Sequence, residues 1–403
     1  LSAPDQQLPG DELIARALRQ SEHENWADCR RLLEQAASHP EHRRQASFLL
    51  WEVCQALHDP DAAIRYLRAA VQDNPLVSRT GPRPKRHVLA LAVIGDFQAN
   101  LPIEPLLDPA DTALHTLWFD NTSPFLPERP LNLPRVDCAF ITIAEDARQI
   151  AALNAADALV RRLGLPVINT ARRIAATSRA EIAHMLRGLA HAVVPNQRLV
   201  SRAELQSEPQ IFPIVIRPQF SHAGSGLARI DEANGLSAYL DRAAGANTFY
   251  VAPFVDYRSA DKQWRKYRVI FVDGTPWPFH MAIHDDWAIW YYNAGMADSP
   301  AKRDEEARFL GDIGAVFPPQ AMAALHGIAR RVGLDYFGLD CGLMPNGDLV
   351  VFEVETGMIV HDRDPADLYP YKKLFVPRIF RAVEQMIDKR VSGWQRPIGS
   401  ASL

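Results

Sequence analysis

Residues 338–356 read GLDCGLMPNGDLVVFEVET, two strand-like runs around Pro345-Asn346-Gly347-Asp348. An Asn-Gly pair between such runs is the strongest short-range signal for a β-hairpin. With Asn346 and Gly347 as a two-residue loop, Pro345 faces Asp348, and counting outward sets Asp340 opposite Glu353. Side chains alternate faces along a strand, so Glu355 shares the face of Glu353. Three carboxylates are therefore expected on one patch of sheet. Like charges directly opposed across strands cost about 0.2–1 kcal/mol per pair. A chain carries them where water solvates the face or where a cation fills the gap. A few carboxylates with room for water and phosphate suit magnesium better than a closed calcium cage. An ordinary hairpin with a solvated polar face accounts for the same residues, so the rest of the chain must discriminate.

The 403 residues, 47% of them apolar, are enough for two or three domains with cores of their own. Net charge is −4 with both signs interspersed, which offers no basic field to nucleic acid or an anionic membrane. The apolar runs are strand-length, too short to span a bilayer. The opening LSAPDQQLPGDELIARALRQ lacks the basic end and apolar middle of a secretory signal. Cys29, Cys54, Cys138 and Cys341 lack paired spacing, which argues against a disulfide framework or a zinc site. A cytoplasmic protein is expected, without nucleic-acid or membrane partners; these properties are compatible with an oligomer.

Residues 10–75 are helical in pattern. WADCRRLLEQAASHP and DAAIRYLRAAVQDNP align with a shift of 35, pairing Ala27 with Ala62, Leu32 with Leu67 and Pro40 with Pro75. That period resembles tetratricopeptide helical pairs; a plain antiparallel bundle reads the same way. Two such units are fewer than a free-standing solenoid needs, so the region is expected to pack on the rest of the chain or on a protein or peptide partner. A polar linker, SRTGPRPKRH, follows. Next, HVLALAVIG, ALHTLWFD, VDCAFITI and LPVIN read as strands, with EDARQIAALNAADALVRRLG as an amphipathic helix, which indicates a small parallel α/β domain ending near Asn169. It lacks the GxGxxG of a dinucleotide site, and no Walker-type GxxxxGK[ST] occurs anywhere. From Thr170 the texture is α+β in two successive lobes. FPIVIRP pairs with GLARID, TFYVAPFV follows, and KYRVIFVDG pairs with WPFHMAI before the final hairpin.

This order of motifs resembles the ATP-grasp superfamily on its glutathione-synthetase-like and RimK-like side, over roughly residues 86–385. The resemblance implies an α/β and α+β fold: a tetratricopeptide-like helical region over 1–80, an α/β leading domain over 86–169, and two α+β lobes over 170–250 and 251–390 that hold ATP between them. The family's last hairpin carries an Asp and a Glu-x-Asn that hold magnesium on the ATP phosphates; Asp340, Glu353 and Glu355 stand in those places, with Glu355 departing from the usual Asn. Arg217 in FPIVIRP stands where the family places a phosphate-reaching lysine. It keeps the charge and can grip phosphate oxygens with a fork, although a strand-end arginine reaching to solvent reads the same way.

SHAGSG, Ser221 to Gly226, stands at the family's glycine-rich phosphate loop. Gly224 and Gly226 would let backbone N–H groups approach phosphate, with Ser221 and Ser225 beside them and His222 toward the terminal phosphate. FYVAPFVD matches the segment that cups adenine, so Ala252 and Phe254 would contact the base through main chain and Asp256 the ribose. The family often has Gln-Glu where Ala252-Pro253 stand. Arg179 lies near another nucleotide-binding position. Arg268 matches an arginine near the reacting phosphate, where a cation stabilises developing oxygen charge; an arginine paired to a neighbouring strand carboxylate is the structural alternative. His280, His284, Asp286, Trp287 and Asn293 fall in the substrate-loop region. The two histidines are core or substrate-lining, and the aromatics Trp287, Trp290, Tyr291 and Tyr292 line a pocket or anchor the loop.

The resemblance thus implies an ADP-forming carboxylate–amine ligase using ATP and Mg2+, with a small-molecule, amino-acid or peptide substrate. His222 and Arg268 are the catalytic candidates. A catalytically silent grasp scaffold that docks a partner through its helices, or a phosphotransferase acting on a hydroxyl, would use the same cleft.

Overall fold

The computed structural model describes residues 8–96, 98–121, 132–221, 224–290 and 293–395. It opens with α1 (Gly10–Glu22), α2 (Trp26–Ala37), α3 (Arg43–Ala56) and α4 (Pro60–Val71), each packed on the next. Asp59 accepts from the Ala62 amide at 3.1 Å and Pro60 opens α4, so the start of that helix is fixed by its own residues. Leu67 of α4 is fully buried with Val71 and Ile94, and Trp51 of α3 meets Trp118 edge-on at 5.6 Å. The helices therefore dock on the next sheet. Leu67→Ala is expected to cost about 2–4 kcal/mol in urea denaturation, for lost burial and the cavity left behind.

The leading sheet runs in the order β1 (Leu76–Thr80), β3 (Thr112–Phe119), β2 (Arg86–Val93), β4 (Cys138–Ile141), β5 (Val167–Ile168). It is parallel apart from β1, which pairs antiparallel at the edge. The linker expected from Ser78 onward thus begins inside a strand. Ser78, Arg79 and Thr80 are exposed there, so this edge carries no apolar signature. Helix α5 (Ile150–Leu163) crosses the sheet and stops at Gly164 in the left-handed region. The short helices α6 (Ala171–Ala175) and α7 (Arg179–Met185), the latter capped by Ser178, lead out of this domain.

Next comes an antiparallel sheet ordered β7 (Arg198–Ser201), β10 (Thr248–Pro253), β8 (Ile214–Pro218), β9 (Ala228–Ile230), covered by α8 (Arg202–Ser207) and α9 (Ala233–Arg242) around a core of its own. The last sheet is ordered β12 (Thr275–His284), β11 (Trp264–Val272), β13 (Tyr336–Leu343), β14 (Leu349–Glu355), β6 (Ala192–Val193). It is antiparallel except where β6 lies parallel to β14. Helices α10 (Pro300–Gly311), α11 (Ile313–Val316), α12 (Pro319–Val332) and α13 (Pro370–Ser392) complete it. The expected sequence of a small leading sheet and two lobes is present. The leading sheet and the last sheet share two continuous cores, one of them closed by Val376, Ile379, Val383, Met386 and Ile387 of α13. Among the described residues no helix is long and apolar enough to cross a membrane.

Candidate active site

The hairpin reaches the expected pairing by a different route. Its loop has three residues, Pro345 to Gly347: Met344 N–H donates to the Asp348 carbonyl and Gly347 N–H to the Met344 carbonyl, both at 2.8 Å. Gly347 takes φ +86°, which a side chain would disfavour. Leu343 then faces Leu349 and Cys341 faces Val351, one residue out of the register that puts Asp340 opposite Glu353. A β-bulge absorbs Phe352 as the extra residue and restores that pairing.

Register carries the row further. His280 on β12 faces Arg268 on β11, Arg268 faces Asp340 on β13, and Asp340 faces Glu353 on β14. Directly opposed residues share a face, so one polar row crosses four strands. Asp340 is fully buried and takes a two-pronged grip from Arg268, Nε at 2.8 Å and Nη2 at 3.0 Å, with Lys266 Nζ at 2.6 Å. Burial alone would raise the Asp340 pKa, but Arg268 and Lys266 outweigh it and hold the carboxyl well below its ordinary range. Glu353 is bonded by Arg179, the first residue of α7, and its pKa is lowered too: burial and the repulsion of Asp340 raise it, but Arg179, Lys266 and Arg217 together outweigh them.

Across the cleft, Arg217 on β8 sits beside Tyr250 on β10, and Arg179 lies over the Tyr250 ring at 5.7 Å. Arg217 donates from Nε to Ser221 Oγ at 3.0 Å and from Nη2 to the Ser221 carbonyl. Burial, and then the nearby Arg179, push the Arg217 pKa down to about 10. Half-buried beside a like charge, this cation gains from any anion that enters. Arg179, Arg217, Lys266 and Arg268 thus surround two ionised carboxylates.

Glu355 follows on the same face of β14 and accepts from the Gly357 amide at 3.0 Å. Among the described residues no lysine or arginine forms an ion pair with it. Glu145 of the leading domain is held by its own N–H donating to Thr356 Oγ1 at 3.0 Å. Burial first, then the neighbouring carboxylates, raise both Glu145 and Glu355 to about 7. A cavity of about 30 Å³, room for about one water, lies among Glu145, Asp146, Thr177, Arg179 and Glu355.

The expectation of a ready three-carboxylate metal site is corrected on one point. No group of three His, Cys, Asp or Glu side chains among the described residues is arranged to hold a metal. Asp340 is neutralised by Arg268 and Lys266 instead. Glu353 and Glu355 remain adjacent on one face, and Glu355, raised to about 7, has no lysine or arginine ion-paired to it among the described residues. That pair fits a hard divalent ion that draws its other oxygens from phosphate and water.

The other candidates divide. Gly224 and Gly226 take φ of +77° and +66°, and a Cβ on Gly226 would meet Pro218 Cδ at 2.7 Å, so the tight loop requires glycine there. Ser225 is exposed beside them. His222 lies outside the described residues, as do Tyr291 and Tyr292. Ala252 pairs with Val215 inside the sheet, and Phe254 N–H donates to the Pro213 carbonyl at 3.0 Å, which commits that amide elsewhere than a base. Asp256 is paired to Arg258 at the surface.

In the substrate loop, His280 joins the polar row, whereas three others tie the loop to itself. His284 Nδ1 accepts from the Asp286 amide at 2.8 Å, Asp286 accepts from Ala288 N–H at 3.0 Å, and Asn293 accepts from Trp290 N–H at 3.0 Å. Trp287 packs edge-on against Phe254 at 5.7 Å and so anchors the loop to the aromatic core. Sequence reasoning missed Lys266, Glu145 and Glu306. The period-two spacing of Lys266 from Arg268 was the signal available for the first; the other two arrive through tertiary packing.

No family model matches the chain, and no curated protein does. Among solved structures it is similar to the D-Ala:D-Ser ligase VanG of Enterococcus faecalis, at 13% identity over 76% of this chain and 100% of that one, with a TM-score of 0.48. It is similar also to the D-alanine–D-alanine ligase of Bacillus anthracis, at 12% identity over 76% and 97%, TM-score 0.45. A RimK domain ATP-grasp protein of Sphaerobacter thermophilus aligns at 16% identity over 76% and 100%, TM-score 0.43.

Proposed function

We propose that the cleft binds ATP for an ADP-forming carboxylate–amine ligase of the ATP-grasp type. The observation that carries this reading is the convergence of Arg179, Arg217, Lys266 and Arg268 from both sides of the cleft onto a partly buried carboxylate row. Four cations over two ionised carboxylates leave a positive surplus suited to a polyphosphate. A substrate carboxylate oxygen attacks the terminal phosphorus and ADP leaves with the bridging oxygen. An amine then attacks the acyl-phosphate carbon, phosphate departs with the C–O electron pair, and the amine proton is lost. Arg217 orients the phosphates from one lobe. Arg268, its guanidinium fixed by both oxygens of Asp340, is preorganised for the oxygen charge that develops at each step. Magnesium, with Glu353 and Glu355 as its protein ligands, would withdraw charge from the phosphates. The region around Gly224 and Gly226 would exclude water from the hydrolysable acyl-phosphate.

The test is calorimetric titration of a non-hydrolysable ATP analogue with and without magnesium, into wild type and Glu353→Gln. Magnesium-dependent binding that weakens about tenfold or more in the variant is expected. Absence of binding to wild type at millimolar analogue would sink the reading. One observation favours a second reading, a nucleotide-binding scaffold that docks a partner through its helices: Asp340 and Glu353 already have cationic partners. Analogue binding indifferent to magnesium, with no ADP formed from ATP, would select it.

A further inference from the structure

The polar row has a buried continuation that the ligase steps above do not use. Glu306 of α10 is fully buried, the one charged side chain on that helix's buried face. Its Oε1 lies 2.6 Å from His280 Nδ1 and accepts from Met281 N–H at 3.2 Å. Its Oε2 accepts from Tyr371 OH at 2.6 Å, and Lys372 Nζ stands 3.5 Å away, shared with Asp364 at 3.2 Å. A buried carboxylate gathers this many donors when it must stay ionised away from water. Its effect on His280 follows from the geometry. A carboxylate can only accept, so Nδ1 carries the proton and Nε2 becomes the basic nitrogen of the neutral ring.

His280 faces Arg268 across the sheet, and Arg268 grips Asp340. Resting on the ligase reading, we infer that Glu306 is a positioning residue fixing the Nδ1–H tautomer of His280, and that His280 Nε2 accepts the proton released when the amine attacks the acyl-phosphate. The new C–N bond forms as the C–O bond to phosphate breaks. Phosphate leaves with that electron pair, the ammonium proton passes to Nε2, and the imidazolium returns it to solvent. Among the described residues, the charged groups acting on the ring include Glu306 from α10, Lys372 from α13 and Arg268 from β11, and Tyr371 of α13 reaches it through Glu306. Burial lowers the His280 pKa and outweighs Glu306, with Lys372 and Arg268 acting in the same direction as burial. The ring is neutral near pH 7, the state a proton acceptor needs.

Two measurements on the full chain test this. The first is the 15N NMR tautomer pattern of histidine-labelled protein, with His280 assigned by His280→Gln. The Nδ1–H form is expected, and Glu306→Gln should alter its signals. An Nε2–H form, or an imidazolium above pH 7, would overturn the positioning role without any appeal to catalysis.

The second uses Mg·ATP with an equimolar mixture of the twenty amino acids, with and without hydroxylamine. Hydroxylamine is a far weaker base than an α-amine and attacks acyl-phosphate without help. His280→Gln should keep hydroxamate formation while amide formation falls about a hundredfold. Glu306→Gln should show a smaller loss of the same kind and a shifted pH profile, and Glu306→Asp should recover part of it. Equal amide yields in wild type and His280→Gln would overturn the proton-acceptor role and leave the ligase standing. Wild-type protein that makes no hydroxamate from the mixture and binds no ATP analogue overturns the ligase reading, and the proton-acceptor role falls with it. If Glu306→Gln does not fold, the wild-type tautomer and the His280→Gln split still decide.

Discussion

Asp340→Asn is expected to destabilise the protein by about 3 kcal/mol or more in urea denaturation, because it leaves two partly buried cations without their anion. The asparagine keeps the shape, so no cavity term enters. What is lost is the anion gripped by Arg268 at 2.8 and 3.0 Å and by Lys266 at 2.6 Å, in a position with no solvent access. Arg179 and Arg217 flank the same cleft and add like-charge repulsion once the carboxylate is gone. The pH dependence has a definite sign. The folded Asp340 pKa lies below its unfolded value of 3.8, so its contribution is present above that pH and is lost as pH falls below it. Wild type should therefore lose stability below about pH 4 more steeply than the variant. A cost under about 1 kcal/mol would mean that water screens the pair, as at an exposed ion pair.

Cation binding should be coupled to proton release near pH 6. Burial and neighbouring carboxylates raise Glu145 and Glu355 to about 7 from an ordinary 4.5, so both are largely protonated there. A divalent ion that uses Glu355 must displace its proton and lowers the pKa of Glu145 beside it. Calorimetry of the magnesium–analogue complex in buffers of different ionisation enthalpy should report about one proton or more released per binding event. Affinity should rise as pH passes 7, and Glu355→Gln should remove most of the release. Folding stability moves the other way. Raised folded pKa values contribute stability below about pH 4.5 that is lost as pH rises through 7. Binding enthalpies independent of buffer would show that the cation avoids Glu355.

How far the site could be read from sequence depended on whether local rules governed each residue. The facing of Asp340 and Glu353 followed from an Asn-Gly turn and period two, even though the real loop is one residue longer and Phe352 bulges to compensate. The turn type was misjudged and the pairing was right, because burial of Cys341, Val351 and Val354 fixes register more firmly than the loop does. Helix α10 was not foreseen. PAKRDEEARFLG has no apolar stripe, and its buried residues are only Glu306, Phe309 and Leu310. A glutamate there reads as a solvated charge until α13 supplies Tyr371 and Lys372 from 65 and 66 residues away. Strand β1 was hidden for the opposite reason, since an exposed edge needs no apolar alternation. His284, Asp286 and Asn293 had the right chemistry for a substrate loop, but their hydrogen bonds brace that loop. The tetratricopeptide-like period remains a pattern in sequence, while the structure shows four helices docked on the leading sheet.

Helix α13 also bears on the order in which the protein can be made. It closes the core shared by β4, β11 and β13, and clasps the leading sheet through Arg86 to Asp388 at 2.8 Å and the Asp108 amide to Glu384 at 2.8 Å. More than 100 residues separate Val272 at the end of β11 from Ile387 on that helix. At ribosomal speed the unfinished sheet waits on the order of ten seconds with its apolar face uncovered. The lobe built from β7 to β10 has a self-contained core and can settle meanwhile. A nascent chain would thus carry one finished lobe beside a sticky, half-built neighbour, which makes it a client for chaperones during synthesis. Chains terminated before residue 370 should accumulate as aggregate, with the polar row never assembled.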